Sequence, residues 1–370
     1  MIGLILCTRE CNLRCRYCFE EENFKSVVLP SREKINQTFV AAMPMIKEFC
    51  TQLIEYNRKK GQKDVFTFHG GEPLLIYPKY IDEMCAFIKS QTDAVTFNVQ
   101  TNGTLLTDEM IDVLKKWNFN VGISIDGCQR THDENRVDCG ERGTHDRVLK
   151  GIEKLRAAGL SFGTMATITR SISQNPKEFY DFYAENHLNL GFNACYTSPQ
   201  SCNQNNRLDD KEYCRFLMRL FDLWSTDQKH SISIRPFERI IKNMTKPCGS
   251  MEVCTYVKDC RHVNIAIDTT GKIYQCLHYC NLDDGDIGDF TKESLAEIIE
   301  REMKKPSRWE TLKQGKCGSC DIYNFCYGGC PYYRDAEALT GLDHDFNCAS
   351  QKVIVHYIYD QLKKLQKPTC

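Results

Sequence analysis

The sequence predicts an α/β fold, in which a partial (β/α)6 barrel is followed by a small cysteine-rich domain. Over the first two-thirds of the chain, strand-like apolar runs alternate with amphipathic helix-like stretches. This alternation is typical of βαβ units and a parallel sheet. After about Lys246 the composition changes, and ten of the 22 cysteines fall between Cys248 and Cys348.

Six strand-like runs define the predicted barrel. They are residues 3–7, 65–69, 96–100, 120–125, 161–167 and 190–196. Amphipathic stretches between them include residues 108–116, 147–158 and 177–185. Six units are fewer than the eight of a closed barrel, so we expect an open one with functional loops at the carboxyl ends of the strands.

The domain boundaries follow from the same patterns. We predict a barrel over residues 1–230, a bridging segment over 231–247, a cysteine-rich domain over 248–350 and a C-terminal helix over 351–370. Residues 209–224 and 232–244 read as helices between the two regions. Asp268-Thr-Thr-Gly271 predicts a hairpin turn. The region around it is poor in helical pattern, so we expect metal to supply part of its stability.

Composition limits the functional classes. The formal net charge is −1, which gives no general attraction to nucleic acid or to an anionic membrane. No apolar run approaches the roughly 18 residues of a membrane span, and the apolar start lacks the features of a signal peptide. We therefore expect a cytoplasmic protein. In such a protein, clustered cysteines more often bind metal than form disulfides.

The most specific motif is Cys11-Asn-Leu-Arg-Cys15-Arg-Tyr-Cys18, which lies on the loop after the first predicted strand. Three thiolates can hold three irons of a cubane cluster and leave the fourth iron open to a cofactor's amino and carboxylate groups. The alternative is a zinc site, which normally takes four ligands. Cys7 could be the fourth, although it lies within the strand itself.

With Tyr17 before its third cysteine, this motif resembles that of the radical S-adenosylmethionine enzymes, and further segments match in the expected order. Gly70-Gly71-Glu72-Pro73 follows the second strand, and the resemblance implies that it binds the cofactor's methionine amino group. The glycines permit close backbone approach, and Glu72 or nearby carbonyls can accept from an ammonium. The resemblance also implies cofactor contacts at strand ends and beyond, by Gln100, Ser124, Arg136, Tyr17 and Tyr196, the two tyrosines near the adenine.

The family's chemistry is one-electron. The reduced cluster passes an electron to the sulfonium of S-adenosylmethionine, and the resulting 5′-deoxyadenosyl radical abstracts hydrogen from the substrate. The cofactor carries the chemistry, whereas the protein binds, orients and excludes solvent.

The C-terminal cysteines resemble the seven-cysteine SPASM extension of peptide-modifying members of this superfamily. The resemblance implies two auxiliary [4Fe–4S] clusters, hence three in all. One takes Cys260, Cys276 and Cys330, with Cys254 as fourth ligand and Cys248 as its rival. The other takes Cys317, Cys320, Cys326 and Cys348, where structural zinc is the alternative.

The resemblance is strongest to anaerobic sulfatase-maturating enzymes, which oxidise a cysteine or serine of a target protein to formylglycine, and to maturases of ribosomal peptides. The former carry an aspartate, their proposed base, where this chain has Leu277. A leucine cannot accept a proton. His278 is a candidate base, or else a hairpin residue with no catalytic role.

These observations leave three functional hypotheses. We favour a maturase that installs a thioether or carbon–carbon cross-link in a ribosomal peptide. Sulfatase maturation is the second, and a non-catalytic iron–sulfur or zinc scaffold is the third. The expected partners are a peptide or protein substrate and a flavodoxin or ferredoxin electron donor. Because the chain starts directly at the first strand, a separate leader-binding protein is a further expected partner.

Overall fold

The computed structural model describes residues 1–18, 28–195, 206, 208–245, 257–282, 284–338 and 347–366. Tyr196, Cys248 and Cys254 lie outside these residues. The chain divides into two compact units. The first comprises Met1–Ile125, His132–Gly163 and Arg261–Lys305, and the second comprises Asp126–Thr131, Thr164–Cys260 and Pro306–Cys370.

The described residues form nine strands and fourteen α-helices. The strands are β1 (Ile2–Leu6), β2 (Asp64–His69), β3 (Val95–Thr101), β4 (Asn120–Ser124), β5 (Phe162–Ile168), β6 (Leu190–Ala194), β7 (Asn264–Ile267), β8 (Lys272–Tyr274) and β9 (Asp286–Asp289). The helices are α1 (Arg32–Lys59), α2 (Pro78–Gln91), α3 (Asp108–Lys116), α4 (Gln129–Asp133), α5 (His145–Ala157), α6 (Arg170–Ser173), α7 (Pro176–Glu185), α8 (Asp210–Thr226), α9 (Arg235–Thr245), α10 (Leu295–Lys304), α11 (Arg308–Lys313), α12 (Tyr323–Cys326), α13 (Pro331–Ala338) and α14 (Cys348–Gln366).

The first unit contains a mixed sheet in the order β4–β3–β2–β1–β7–β8–β9. Strands β1 to β4 pair in parallel, and β7 pairs in parallel with β1. Strands β8 and β9 continue the sheet in antiparallel register. The carboxyl ends of β1 to β4 therefore lie at one edge, where the predicted motifs follow.

The two faces of this sheet differ in polarity because side chains alternate along each strand. On β2, Phe66 and Phe68 are fully buried, whereas Thr67 and His69 are half-buried. The buried face packs against aromatic residues that follow α3, and the ring centroids of Phe68 and Phe119 are 5.7 Å apart. The polar face holds the side chains that approach the candidate site.

The second unit has an aromatic core. Strands β5 and β6 pair in parallel, and the Phe192 ring on β6 lies 6.4 Å from Phe216 on α8 and 5.9 Å from Phe237 on α9. Helix α14 packs against α8, where the Tyr357 hydroxyl donates to Asp222 at 2.6 Å.

The sequence-based prediction of an α/β fold with parallel strands and a cysteine-rich C-terminal region is confirmed. The predicted hairpin is present between β7 and β8, and Gly271 has the positive φ of +89° that its turn requires. The C-terminal region contains more helix than its pattern indicated. Helix α10 begins with a capping box in which the side chains of Ser294 and Glu297 each bond the other's backbone N–H, a start signal typical of helices. Among the described residues, no helix is long and apolar enough to cross a membrane.

Candidate active site

The segment of residues 11–18, called the cluster loop here, follows β1 and carries the three cysteines of the predicted motif. All three thiols are half-buried. Burial, followed by the negative charges of Glu72 and Cys15, raises the pKa of Cys11 well above its usual value, and Cys18 adds to the effect. A bound cation would stabilise the thiolate that these neighbours disfavour. The effect of Cys15 and Cys18 on Cys11 is therefore compatible with an iron–sulfur cluster.

The zinc alternative required Cys7 as a fourth ligand. Cys7 is buried, and its thiol donates to the Ile5 carbonyl at 3.6 Å. Among the described residues, no group of three or more His, Cys, Asp or Glu side chains could hold a metal ion. The assignment of Cys11, Cys15 and Cys18 to a cluster stays a prediction.

The predicted Gly-Gly-Glu segment lies directly against the entry to the cluster loop. The Gly71 N–H donates to the Thr8 carbonyl at 2.8 Å, and the Glu72 N–H donates to the Glu10 carbonyl at 2.9 Å. A Cβ atom added at Gly70 would lie 2.2 Å from the Thr8 oxygen, and one at Gly71 would lie 2.3 Å from the Glu10 oxygen. Only glycine permits this approach of the two backbones.

Glu72 is turned into the protein, where it is 1% exposed. Its Oε1 accepts from the Thr101 hydroxyl at 2.6 Å and the Leu74 N–H at 3.0 Å, and its Oε2 accepts from the Asn102 N–H at 2.7 Å. Burial raises the pKa of Glu72 to about 7, although these bonds oppose the rise. The carboxylate thus ties the turn after β2 to the end of β3. Its direct contact with a cofactor ammonium stays a prediction.

A segment that follows α4 holds the far side of the cluster loop. The Arg14 N–H donates to the Val137 carbonyl at 2.7 Å, and the Arg16 N–H donates to the Asn135 carbonyl at 2.9 Å. These bonds bring two predicted cofactor contacts together, because the Arg136 guanidinium lies 5.4 Å from the centre of the Tyr17 ring. A cation over an aromatic face is a favourable arrangement.

The remaining described cofactor candidates meet at the ends of β3 and β4. The Gln100 Nε2 donates to the Ser124 Oγ at 3.2 Å. Gly122 leaves the space for this contact, since a Cβ there would lie 2.2 Å from Gln100 Oε1. The structure therefore brings Gln100 and Ser124 together, as it does Tyr17 and Arg136.

Sequence reasoning missed a network at the entry to the cluster loop. Arg9 donates to the Asp268 carboxylate at 2.9 Å, the Tyr274 hydroxyl at 2.7 Å and the Cys280 carbonyl at 2.8 Å. Asp268 is 2% exposed. The sequence signal was present in the Asp268-Thr-Thr-Gly271 turn, but nothing local connects it with Arg9. The network joins the cluster loop to the hairpin of β7 and β8.

Residue 277, where this chain has a leucine, lies in an apolar environment. Leu277 packs against a buried cluster that includes Leu4, Leu6 and Tyr274. Burial, and after it the nearby His69 ring, lowers the pKa of His278 to about 4. His278 is therefore neutral at pH 7, but an imidazole with so low a pKa is a weak base. Its catalytic role stays a prediction.

Three of the C-terminal cysteines influence a fourth, Cys326, within the second unit. Burial raises the pKa of Cys326 to about 11, and the charges of Cys320, Cys348 and Cys317 add to the rise. Arg334 donates to the Cys317 sulfur at 3.3 Å. These observations fit a shared cluster on the four predicted ligands.

The other predicted auxiliary ligands are distributed over the two units. Cys260 begins a short 3-10 helix, and Cys276 precedes another that spans Leu277–Asn281. Cys260 and Cys330 belong to the second unit, and Cys276 belongs to the first. A shared cluster on these three residues stays a prediction.

Residues 5–184 match the model of the Radical SAM superfamily. The chain is 26% identical to a cysteine-type anaerobic sulfatase-maturating enzyme of Clostridium novyi, over 92% of this chain and 90% of the relative. It is 27% identical to a serine-type anaerobic sulfatase-maturating enzyme of Bacteroides thetaiotaomicron, over 90% of this chain and 84% of the relative.

Two solved structures have a similar fold. Native anSMEcpe with bound AdoMet and the Cp18Cys peptide matches with a TM-score of 0.79 at 23% identity, over 98% of both chains. Streptococcus suis SuiB bound to the precursor peptide SuiA matches with a TM-score of 0.62 at 14% identity, over 95% of this chain and 75% of that one. At these identities the similarity concerns the fold.

Proposed function

We propose that this chain, whose residues 5–184 match the model of the Radical SAM superfamily, is a radical SAM enzyme that oxidises a cysteine or serine side chain of a target protein, as in anaerobic sulfatase maturation. The observation that carries the proposal is the cluster loop, in which Cys15 and Cys18 raise the pKa of the Cys11 thiol and the Tyr17 ring lies against the Arg136 guanidinium. The two sulfatase-maturating relatives, each aligned over at least 90% of this chain, support this substrate class. The proposal reverses the order of the first two hypotheses from the sequence.

The cofactor sites follow from the same residues. Cys11, Cys15 and Cys18 would hold a [4Fe–4S] cluster with one open iron. With S-adenosylmethionine bound at that iron, the cluster and the bound cofactor together would supply a 5′-deoxyadenosyl radical for hydrogen abstraction. The backbone at Gly70 and Gly71 would approach the amino group of S-adenosylmethionine. The side chains that would position the rest of the molecule are Tyr17, Gln100, Ser124, Arg136 and Tyr196.

Two further clusters complete the proposed cofactor set. Cys317, Cys320, Cys326 and Cys348 would hold one, and the effect of the other three on the pKa of Cys326 supports this assignment. Cys260, Cys276 and Cys330 would hold the other, with Cys254 as the fourth ligand. The proposed partners are a protein or peptide substrate, a flavodoxin or ferredoxin donor and a separate leader-binding protein.

One observation favours a second reaction on a peptide substrate. Leu277 stands where the sulfatase-maturating family carries its proposed base, and it packs against apolar side chains. Without a carboxylate at this position, either another group takes the substrate's proton or the reaction differs. Formation of a thioether or carbon–carbon cross-link in a ribosomal peptide is therefore the second candidate.

The product mass separates the two reactions. Anaerobically reconstituted enzyme would be incubated with S-adenosylmethionine, dithionite and a cysteine-containing peptide from a bacterial sulfatase. Formylglycine formation from cysteine exchanges sulfur for oxygen and removes two hydrogens, whereas a cross-link removes two hydrogens only. The peptide contains no serine, because oxidation of serine to formylglycine would also remove two hydrogens only. The first change is expected. A peptide that loses two hydrogens alone would overturn the primary proposal in favour of the second.

A control variant separates both reactions from a non-catalytic scaffold. Replacement of Cys11, Cys15 and Cys18 by alanine should abolish 5′-deoxyadenosine formation and leave the iron of the auxiliary sites in place. If the fully loaded wild-type enzyme forms no 5′-deoxyadenosine with any reductant, the enzymatic proposal is wrong and the scaffold hypothesis replaces it.

A further inference from the structure

The side-chain amide of Asn102 has a single consistent orientation. Asn102 follows β3 and is 7% exposed. Its Oδ1 accepts from the Thr104 N–H at 3.0 Å and the Thr104 hydroxyl at 2.7 Å. A backbone N–H is always a donor, so the side-chain atom that faces it must be the oxygen rather than the nitrogen. The amide nitrogen therefore faces the other way, toward the cluster loop.

Two acceptors of the cluster loop lie on that side. The Asn102 Nδ2 donates to Asn12 Oδ1 at 2.9 Å and lies 3.9 Å from Cys11 Sγ, within the range of a hydrogen bond to sulfur. The Asn12 amide is itself oriented, because its nitrogen donates to the Thr104 hydroxyl at 2.9 Å. One amide hydrogen of Asn102 thus serves Asn12, and the other is directed to the sulfur. The Leu13 N–H donates to the same sulfur at 3.4 Å.

Hydrogen bonds to a ligating sulfur have a known electrochemical consequence. An added electron makes an iron–sulfur cluster more negative, and a donor to its thiolate stabilises that charge, so the reduction potential rises. We propose that Asn102 is a positioning residue that donates to the Cys11 sulfur and raises the reduction potential of the cluster on the cluster loop. This inference rests on the proposed function, because it requires the cluster.

The test compares midpoint potentials of loaded enzymes. The cluster with an open iron is identified as the one whose electron paramagnetic resonance signal changes when S-adenosylmethionine is added. Its potential is measured by anaerobic titration with dithionite in the wild type, in Asn102→Ala and in Thr104→Val. The Thr104 substitution disturbs the same amide network but leaves the Asn102 nitrogen beside the sulfur, so it is the matched control.

We expect a lower potential in Asn102→Ala and a wild-type value in Thr104→Val. A tenfold change in the one-electron equilibrium corresponds to about 59 mV, so even a threefold change is measurable. If Asn102→Ala fails to retain the cluster, Asn102→Asp carries the test, because it keeps the acceptor for Thr104. The aspartate lacks the donor and adds negative charge, so the reduction potential of the cluster should fall further than in Asn102→Ala.

The outcomes distinguish this inference from the proposed function. Equal shifts in Asn102→Ala and Thr104→Val would mean that loop relaxation changes the potential, and would overturn the role of the amide. An unchanged potential in Asn102→Ala would also overturn the role of the amide, but it would leave the proposed cluster unaffected. A wild-type enzyme without any signal sensitive to S-adenosylmethionine would overturn the proposed function, and this inference with it.

Discussion

Replacement of Glu72 by glutamine tests two effects of this buried carboxyl group on stability. Its hydrogen bonds stabilise the folded protein, whereas the burial of its charge destabilises the protein at high pH. Glutamine has the same size, but one of its terminal atoms is an NH2 donor. Oε1 of Glu72 accepts two hydrogen bonds and Oε2 accepts one, from the Asn102 N–H. The favoured orientation keeps the glutamine oxygen at the Oε1 position, which leaves two donors facing each other at Asn102. The loss of a buried hydrogen bond of this kind costs about 1–3 kcal/mol.

The second consequence depends on pH. Burial raises the pKa of Glu72 from 4.5 to about 7 in the folded protein. The stability linked to a raised pKa is fully present below the unfolded value and is lost as pH rises through the folded value. At about 1.4 kcal/mol per pKa unit, wild type loses roughly 2–3 kcal/mol between pH 5 and pH 8 by this route. The glutamine does not titrate and loses none of it.

The stability difference between the two proteins should therefore narrow as pH rises. We expect Glu72→Gln to be less stable than wild type at pH 5 by about 1–3 kcal/mol and nearly equal to it at pH 8. Unfolding with loss of clusters is not two-state, so the measured quantity is the difference in Tm under anaerobic conditions at one scan rate. Glu55→Gln, on the exposed face of α1, is the control and should show no dependence of this kind.

Hydrogen exchange localises the effect. The peptide that contains residues 101–104 should lose protection in Glu72→Gln at pH 5, because the Asn102 N–H loses its acceptor at the Oε2 position. The peptide that contains residues 72–76 should keep its protection, because the Leu74 N–H still donates to the oxygen at the Oε1 position. A Tm difference that stays constant from pH 5 to pH 8, or that widens, would refute the reasoning about the buried charge. Unchanged protection at residues 101–104 would refute the reasoning about the hydrogen bonds.

Three further substitutions test other contacts of the site. Arg9→Ala leaves the buried Asp268 carboxylate without its guanidinium, so we expect a loss of about 1–2 kcal/mol, measured as a lower Tm than that of Arg9→Lys; equal values would contradict the role of the network. Gly71→Ala places a Cβ 2.3 Å from the Glu10 oxygen, and should lower the iron content after anaerobic reconstitution, whereas full loading would show that the loop can move aside. Arg136→Met removes the cation over Tyr17 and should weaken S-adenosylmethionine binding in equilibrium dialysis at unchanged iron content; equal binding would exclude a contact.

The sequence predicted the strands and the motifs that follow them because both are local patterns. The predicted strand at 65–69 and the structural β2 (Asp64–His69) differ by one residue, and the glycines of the next turn stand where the backbone needs them. The pairing of β7 with β1 was not predicted. Residues Ile2 and Asn264 are partners in this register, and no local pattern connects positions so far apart in the chain.

Side-chain roles were harder to predict than side-chain positions. Glu72 was expected to be available to the cofactor, but an isolated motif does not show that donors from Leu74, Thr101 and Asn102 already occupy its oxygens. Asn102 lies two residues after Gln100, which was predicted to contact the cofactor, and was itself given no role. Its importance depends on Asn12, which is brought near it only by folding, together with the neighbouring Thr104. Arg9 likewise has the appearance of a solvent-exposed charge in the sequence, and only the folded structure shows that it pairs with Asp268.

The cluster loop is held from several directions within the first unit, and each contact comes from the end of a different element. The turn after β2 bonds the backbone before Cys11, Asn102 after β3 bonds Asn12, and the segment around Arg136 bonds the backbone of residues 14 and 16. Parallel strands deliver their carboxyl ends to one edge of a sheet, so these contacts are a consequence of the topology. A loop whose backbone is fixed in this way is already partly ordered before any cluster binds, and that order lowers the entropic cost of binding.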